Sequence, residues 1–205
     1  LMANKTNESL KALDGSLAIQ PSVAGYLLKA LVYEQKEKFD SSLYSYSRAL
    51  ELDNDIFDAH KRRASYRHEL KDWKGAYADI QEMKRILPES DVAYKISGLI
   101  KANLKDYYGC IIDLARFVKT DTTDAGAWKT KAFCHSQIKD YKSAIQDYNQ
   151  SVILEPEDRE VFAAMYENIM ILKDTVAALS TLRRMSLIWH RDLNIQIVAA
   201  DLLIL

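Results

Sequence analysis

A four-residue box returns along this chain at a fixed distance of 34 residues, and this regularity limits the fold more than any other feature. The box is a large aliphatic residue, then lysine and aspartate, then an aromatic residue in three of four copies. The copies lie at residues 70–73, 104–107, 138–141 and 172–175, and a weaker one lies at 36–39. A fixed period of roughly 20 to 50 residues is typical of repeat architectures. The sequence therefore predicts a repeat protein.

The composition favours helices over strands. The 205 residues include only six glycines and three prolines, and 48% of the residues are hydrophobic. Helix-forming residues such as alanine, leucine, lysine and glutamate are abundant, and the apolar share is ample for a buried core. We therefore predict an all-α chain.

Each unit is predicted to be a helix–turn–helix in which the box is the turn. The aspartate of the box is suited to cap the second helix, because its carboxylate accepts unpaired backbone N–H groups there. Small residues recur at two fixed places, which predicts that the two helices approach closely. Three residues after the aromatic position stand Ser42, Ala76, Cys110, Ala144 and Ala178, and nine before it stand Ala30, Ala64, Gly98 and Ala132, with Tyr166 as the exception. Pro88 and Pro156 occupy equivalent places and are predicted to end second helices.

This pattern resembles the tetratricopeptide repeat (TPR), a 34-residue helix–turn–helix unit. The resemblance implies a right-handed α-solenoid of about five TPR-like repeats over residues 22–190. The predicted units are 22–55, 56–89, 90–123, 124–157 and 158–190. Thr175 and Tyr166 depart from the pattern in the fifth unit, as terminal repeats often do.

Both ends of the array are predicted separately. Residues 1–21 form either an N-terminal arm or a short helix. Residues 191–205 are predicted as a C-terminal capping helix or the first helix of a truncated further repeat. Their apolar character has two interpretations: the chain belongs to a longer protein, or this helix joins copies into a homo-oligomer.

The sequence offers no catalytic or metal site, so we expect a protein that is not an enzyme and binds no cofactor. His60, His68, His135 and His190 do not have the spacing of metal ligands, and no glycine-rich phosphate loop is present,. Cys110 and Cys134 are interpreted as core residues.

Charge and cysteine content bound the partners and the compartment. The formal net charge is −1, which does not favour nucleic acid, and no apolar run approaches the roughly 20 residues of a membrane span,. The densest basic segment, residues 60–68, is read either as an RNA-binding surface or as a source of ion pairs, Arg63 and Arg67 bridging to Glu51 or Asp79. Two cysteines are too few for a disulfide framework, which favours a reducing, cytoplasmic location.

In tetratricopeptide proteins the first helices line a concave groove, and the resemblance implies a peptide-binding surface here. The implied groove residues are Lys61, Arg62, Ser65, His68, Lys95, Leu99, Lys129, Phe133 and Ser136, with Leu27 and Leu31 in the first unit. Lys61, Lys95 and Lys129 recur with the 34-residue period, so stacking would align them beside an apolar strip. Such a groove suits an acidic, partly apolar segment. The alternative is that these lysines are ordinary solvated residues.

The sequence thus predicts a protein–protein interaction scaffold or adaptor. The alternatives are a self-assembling structural protein and the regulatory or targeting arm of a longer enzyme, with an RNA-binding helical repeat less favoured. The carboxylate clamp by which some tetratricopeptide domains hold a chaperone tail is matched here at its first lysine only, so that role is not expected.

Overall fold

A computed structural model of the chain describes residues 2–190 and residue 192. Within these residues the regular structure consists of eleven α-helices and no strand, which confirms the all-α prediction. The helices are α1 Met2–Ile19, α2 Val23–Gln35, α3 Phe39–Leu52, α4 Phe57–Glu69, α5 Trp73–Ile86, α6 Asp91–Asn103, α7 Tyr107–Thr120, α8 Ala125–Gln137, α9 Tyr141–Leu154, α10 Arg159–Ile171 and α11 Thr175–Ile188.

The ten helices after α1 follow the period of the sequence. Each first helix has 13 residues and each second helix has 14. The last residue of the box is the first residue of the second helix in every unit, as at Trp73 and Tyr107. Pro88 and Pro156 stand two residues beyond the ends of α5 and α9, as predicted.

The box forms one turn with two functions. In its first part, the lysine adopts a left-handed backbone, with φ of 60° at Lys71 and 62° at Lys105. This allows the amide of Asp72 to donate to the carbonyl of Arg67 at 2.8 Å, which ends α4 in a Schellman-type turn,. In its second part, Asp72 caps α5 by accepting from the amide of Gly75 at 2.9 Å. The predicted cap is therefore confirmed, and the left-handed lysine is an additional finding.

The small residues of the pattern lie where helices touch. Ala30, Ala64 and Ala132 are fully buried on the first helices. Position 98 on α6 favours glycine for steric reasons, since a Cβ there would lie 2.5 Å from Cγ of the buried Leu114 on α7. The close approach predicted from the repeat is therefore confirmed.

The chain divides into two compact units, Leu1–Ile96 and Ser97–Leu205, with the boundary inside α6. In the first unit α2 packs on α3 and α4 on α5, and the core includes Ala30, Tyr46 and Leu50. In the second unit α8 packs on α9 and α10 on α11, around a core that includes Phe162 and Met165.

The N-terminal arm is a helix that packs on α2. Leu17 is buried, and it occupies the space beside Gly25 that a Cβ would otherwise fill. Asp14 pairs with Lys29 at 2.5 Å. The predicted C-terminal helix at residues 191–205 lies outside the described residues apart from Asp192.

Cys110 and Cys134 require a correction. Both are fully buried, as expected for core residues, but the structure joins them in a disulfide between α7 and α8. Their Cα atoms lie 6.7 Å apart, which is within reach of a bridge,. The interpretation of both cysteines as core residues is confirmed, but the bond between them was not predicted, because each helix was considered alone and the two residues face one another across consecutive repeats.

A membrane-spanning helix would need a long apolar segment. In the part of the chain that the structure describes, no helix is both long and apolar enough to cross a bilayer.

Candidate functional site

The basic residues of α4 are mostly engaged inside the first unit. Asp79, buried on α5, accepts from Nη2 of Arg63 at 2.6 Å and from Nη1 of Arg67 at 2.8 Å. Nδ1 of the buried His60 lies 3.1 Å from the same carboxylate. The interpretation of Arg63 and Arg67 as ion-pair partners of Asp79 is confirmed. These basic side chains therefore contact an acid of the same chain, which disfavours an RNA-binding surface.

The same arrangement recurs in the next two repeats. Asp113 accepts from Ser97 at 2.5 Å and from Lys101 at 2.8 Å, and Asp147 pairs with Lys131 at 2.8 Å. The aspartates are 34 residues apart, with their partners 16 and 12 residues earlier. Sequence reasoning missed this recurrence, although the spacing of Asp79, Asp113 and Asp147 was a readable signal. The first and last repeats carry the uncharged Ser45 and Thr181 instead.

Burial and the neighbouring hydrogen-bond donors together set the pKa of Asp79 and of Asp147. Burial acts most strongly on Asp79 and raises its pKa, but the hydrogen bonds from His60 and Arg63 outweigh it, so the pKa is lowered overall. Burial also dominates at Asp147, and there it wins over Lys131, so the pKa of that carboxyl is raised. The two sites therefore differ in their response to pH.

A cavity of about 630 Å³ lies in the first compact unit, between α2 and α4, which are the first helices of the first two repeats. Leu27 and Leu31 of α2 form one wall, and Lys61, Arg62 and Ser65 of α4 form the other. The remaining lining residues are Tyr46, Ile56, Asp58, Ala59 and Tyr66. The predicted groove residues of the first two repeats, apart from His68, thus lie around one cavity.

Glu34 organises polar groups beside this cavity. Its carboxylate accepts from the hydroxyl of Tyr46 at 2.7 Å and from Nη1 of Arg62 at 2.9 Å. Burial, followed by the hydrogen bond to Glu34, raises the pKa of Tyr66 to about 12. Arg62 therefore ties α4 to α2, and its charge is compensated inside the fold.

The predicted lysine ladder is not uniform. Lys129 pairs with Asp158 at 2.9 Å and with Glu160 at 3.0 Å. Burial lowers the pKa of Lys129 most strongly, yet the hydrogen bonds to these two acids raise it overall. Lys61 differs, since it forms no ion pair with any of the residues that the structure describes. Lys95 has a polar interaction of its own.

The other predicted groove residues lie at the surface of their helices. His68 packs edge-on against Trp73 at 4.9 Å, and half-exposed Phe133 packs edge-on against Tyr107 at 6.1 Å. Leu99 and Ser136 are partly exposed, and neither lines the cavity. For residues 2–190 and 192, no cluster of His, Cys, Asp or Glu could hold a metal ion.

No protein-family model matches the sequence. No curated protein matches it either.

Three solved structures are similar over most of the chain. YrrB, described as a TPR protein with an unusual peptide-binding site, has a TM-score of 0.76 and 16% identity, covering 94% of this chain and 99% of its own. MamA from Desulfovibrio magneticus RS-1 has a TM-score of 0.74 and 15% identity, covering 83% and 97%. PilF of Pseudomonas aeruginosa has a TM-score of 0.67 and 17% identity, covering 98% and 92%.

These likenesses concern the fold. The chain has the fold of the tetratricopeptide repeat superfamily, an α-solenoid of about five helix pairs.

Proposed function

We propose that this chain is a protein-interaction scaffold or adaptor that receives a peptide segment of a partner protein between α2 and α4. The observation that carries the proposal is the cavity of about 630 Å³ between these helices. Pockets of roughly 300–1,000 Å³ with apolar walls and a few polar groups are typical of binding sites. Leu31, which is 40% exposed, presents apolar surface at its edge.

The similarity to YrrB supports this proposal, because that protein is described as having a peptide-binding site on the same fold. We assign no catalytic role to this chain, since function is argued from a site and the hydroxyl of Ser65 at the cavity donates to the backbone carbonyl of Lys61 at 3.1 Å,.

We propose a cytoplasmic location, and the redox state of Cys110 and Cys134 in cells tests it. A reducing cytosol keeps most thiols reduced, so protein trapped with an alkylating reagent during lysis should carry Cys110 and Cys134 as two free thiols,. Recovery of the bonded form from cells would contradict a cytoplasmic location.

Filling the cavity tests the function. Ser65 is exposed on the cavity wall, so Ser65→Trp should occupy the space while leaving the helix intact. The matched control is Gln146→Trp, at a position on α9 that is also exposed and does not line the cavity. Proteins captured from a lysate by the immobilised wild type should be lost with Ser65→Trp and kept with Gln146→Trp. Equal capture by all three forms would refute the proposal.

A further inference from the structure

We propose that the cavity selects a particular peptide chemistry: a bulky aliphatic or aromatic side chain next to an acidic residue, whose carboxylate pairs with Lys61. This inference rests on the proposed function and names the ligand class of the same site.

The apolar part of the requirement comes from the cavity walls. Leu27 and Leu31 line it from α2, and Ile56 and Ala59 line it at the start of α4. Tyr46 adds to the apolar lining. A side chain that enters this space loses contact with water where it touches the walls, and burial of apolar surface is favourable by about 25 cal/mol per Å². A polar side chain would lose its hydration without gaining equivalent partners.

The acidic part comes from the charges at the cavity. Arg62 is already compensated by Glu34, with 2.9 Å between Nη1 and Oε2. Asp58 lies in the first turn of α4, where the helix dipole stabilises a carboxylate,. Lys61 is the lining cation that forms no ion pair among the described residues. An ammonium group at the edge of an apolar space favours a ligand carboxylate.

The repeat itself provides an internal comparison. Lys129 occupies the position equivalent to Lys61 two repeats later, and it pairs with Asp158 and Glu160. The residues that correspond to these two acids, 29 and 31 positions after Lys61, are Ser90 and Val92. The two acids that pair with Lys129 therefore have no counterpart beside Lys61, which leaves the ammonium group of Lys61 available to a ligand carboxylate.

The test is a selection from a random decapeptide library displayed on phage, run in parallel on four folded proteins: wild type, Lys61→Gln, Lys129→Gln and Ser65→Trp. Wild type should enrich peptides in which Leu, Ile, Met or Phe stands within two residues of Asp or Glu. Lys61→Gln should keep the apolar preference and lose the acidic one, with binding of a selected peptide about tenfold weaker, as expected for one charge-assisted hydrogen bond. Lys129→Gln should behave like wild type, and Ser65→Trp should enrich nothing.

The possible failures are distinguishable. Absence of any enrichment on wild type would overturn the proposed function together with this inference. Enrichment that survives Ser65→Trp would overturn the placement in the cavity. An acidic preference that survives Lys61→Gln, or that disappears with Lys129→Gln, would overturn the assignment to Lys61 and leave peptide binding standing. Circular dichroism confirms that each variant is folded before the selection is read.

Discussion

Arg63 and Asp79 form a buried ion pair that fastens the first helix of the second repeat to its second helix. Nε and Nη2 of the guanidinium lie 3.0 and 2.6 Å from Oδ1 of the carboxylate. Asp79 is nearly inaccessible to water, and Arg67 adds a second cation at 2.8 Å. Opposite charges at this depth stabilise the fold only while both partners are present, because an isolated buried charge loses its hydration without compensation.

Replacing the carboxylate should therefore be strongly destabilising. Asp79→Asn leaves Arg63 and Arg67 without their anion, and we expect the free energy of unfolding to fall by about 3–5 kcal/mol. Urea denaturation at pH 7, followed by circular dichroism, measures this change. The matched variant Asp147→Asn removes an anion that faces Lys131 and His135, and its cost should be smaller, since ionisation of Asp147 is already disfavoured by burial. The reverse order of the two costs would contradict this reading of the clusters.

Asp79 and Asp147 should change the free energy of unfolding in opposite directions as the pH falls. The pKa of Asp79 is lowered in the folded state, so its contribution is present above the unfolded pKa of about 3.9 and is lost as the pH falls through the folded value,. The stability difference between wild type and Asp79→Asn should therefore shrink below about pH 4. The pKa of Asp147 is raised, so this group should add stability as the pH falls from above its folded value towards the unfolded one,. Denaturation curves collected from pH 7 to pH 2.5 on the wild type and both variants separate the two effects.

Gly98→Ala should destabilise the second unit. The added methyl group would lie 2.5 Å from Cγ and 2.7 Å from Cδ2 of the fully buried Leu114, whose side chain would have to repack. Overpacking of this kind costs about 1–3 kcal/mol, which outweighs the higher helix propensity of alanine. Thermal melting measures the loss. As a control, Gly15→Ala on α1 has nothing within 4 Å of the added atom and should be neutral or slightly stabilising.

Reduction of the disulfide should weaken the link between α7 and α8. Cys110 and Cys134 are 24 residues apart, and closing a loop of that size restricts the unfolded chain by about 3–4 kcal/mol in the chain-entropy treatment,. Oxidised protein should therefore unfold at lower urea after addition of a phosphine reductant. The double variant Cys110→Ala/Cys134→Ala should not respond to the reductant. A wild type that is equally insensitive would show that the bond contributes nothing to stability.

Sequence reasoning reached the fold because the period is local and repeated. The turn at Asp72 and the helix ends near Pro88 and Pro156 depend on residues a few positions apart, and the close contact at Gly98 joins the two helices of a single repeat. The left-handed lysines escaped it, since glycine or asparagine usually occupies that place and Lys71 carries no visible sign of its backbone conformation,.

The site was less predictable because its charges are decided by contacts between repeats. Lys61, Ser65 and Leu31 line one cavity, and their role in binding stays a prediction. The neutralisation of Lys129 was not foreseen, because Asp158 and Glu160 lie 29 and 31 residues away and reach it only through stacking of adjacent units. The Cys110–Cys134 bond was missed for the same reason.

The placement of a peptide between α2 and α4 is the central claim, and methyl NMR tests it most directly. A selected peptide is titrated into protein whose leucine methyl groups are isotopically labelled. The account predicts that the largest shift changes fall on Leu27 and Leu31, and that they vanish in Ser65→Trp. Methyl groups of the second-unit core, such as Leu114 and Leu182, should remain unchanged. Shift changes confined to leucines after Ser97, with Leu27 and Leu31 unaffected, would contradict the claim.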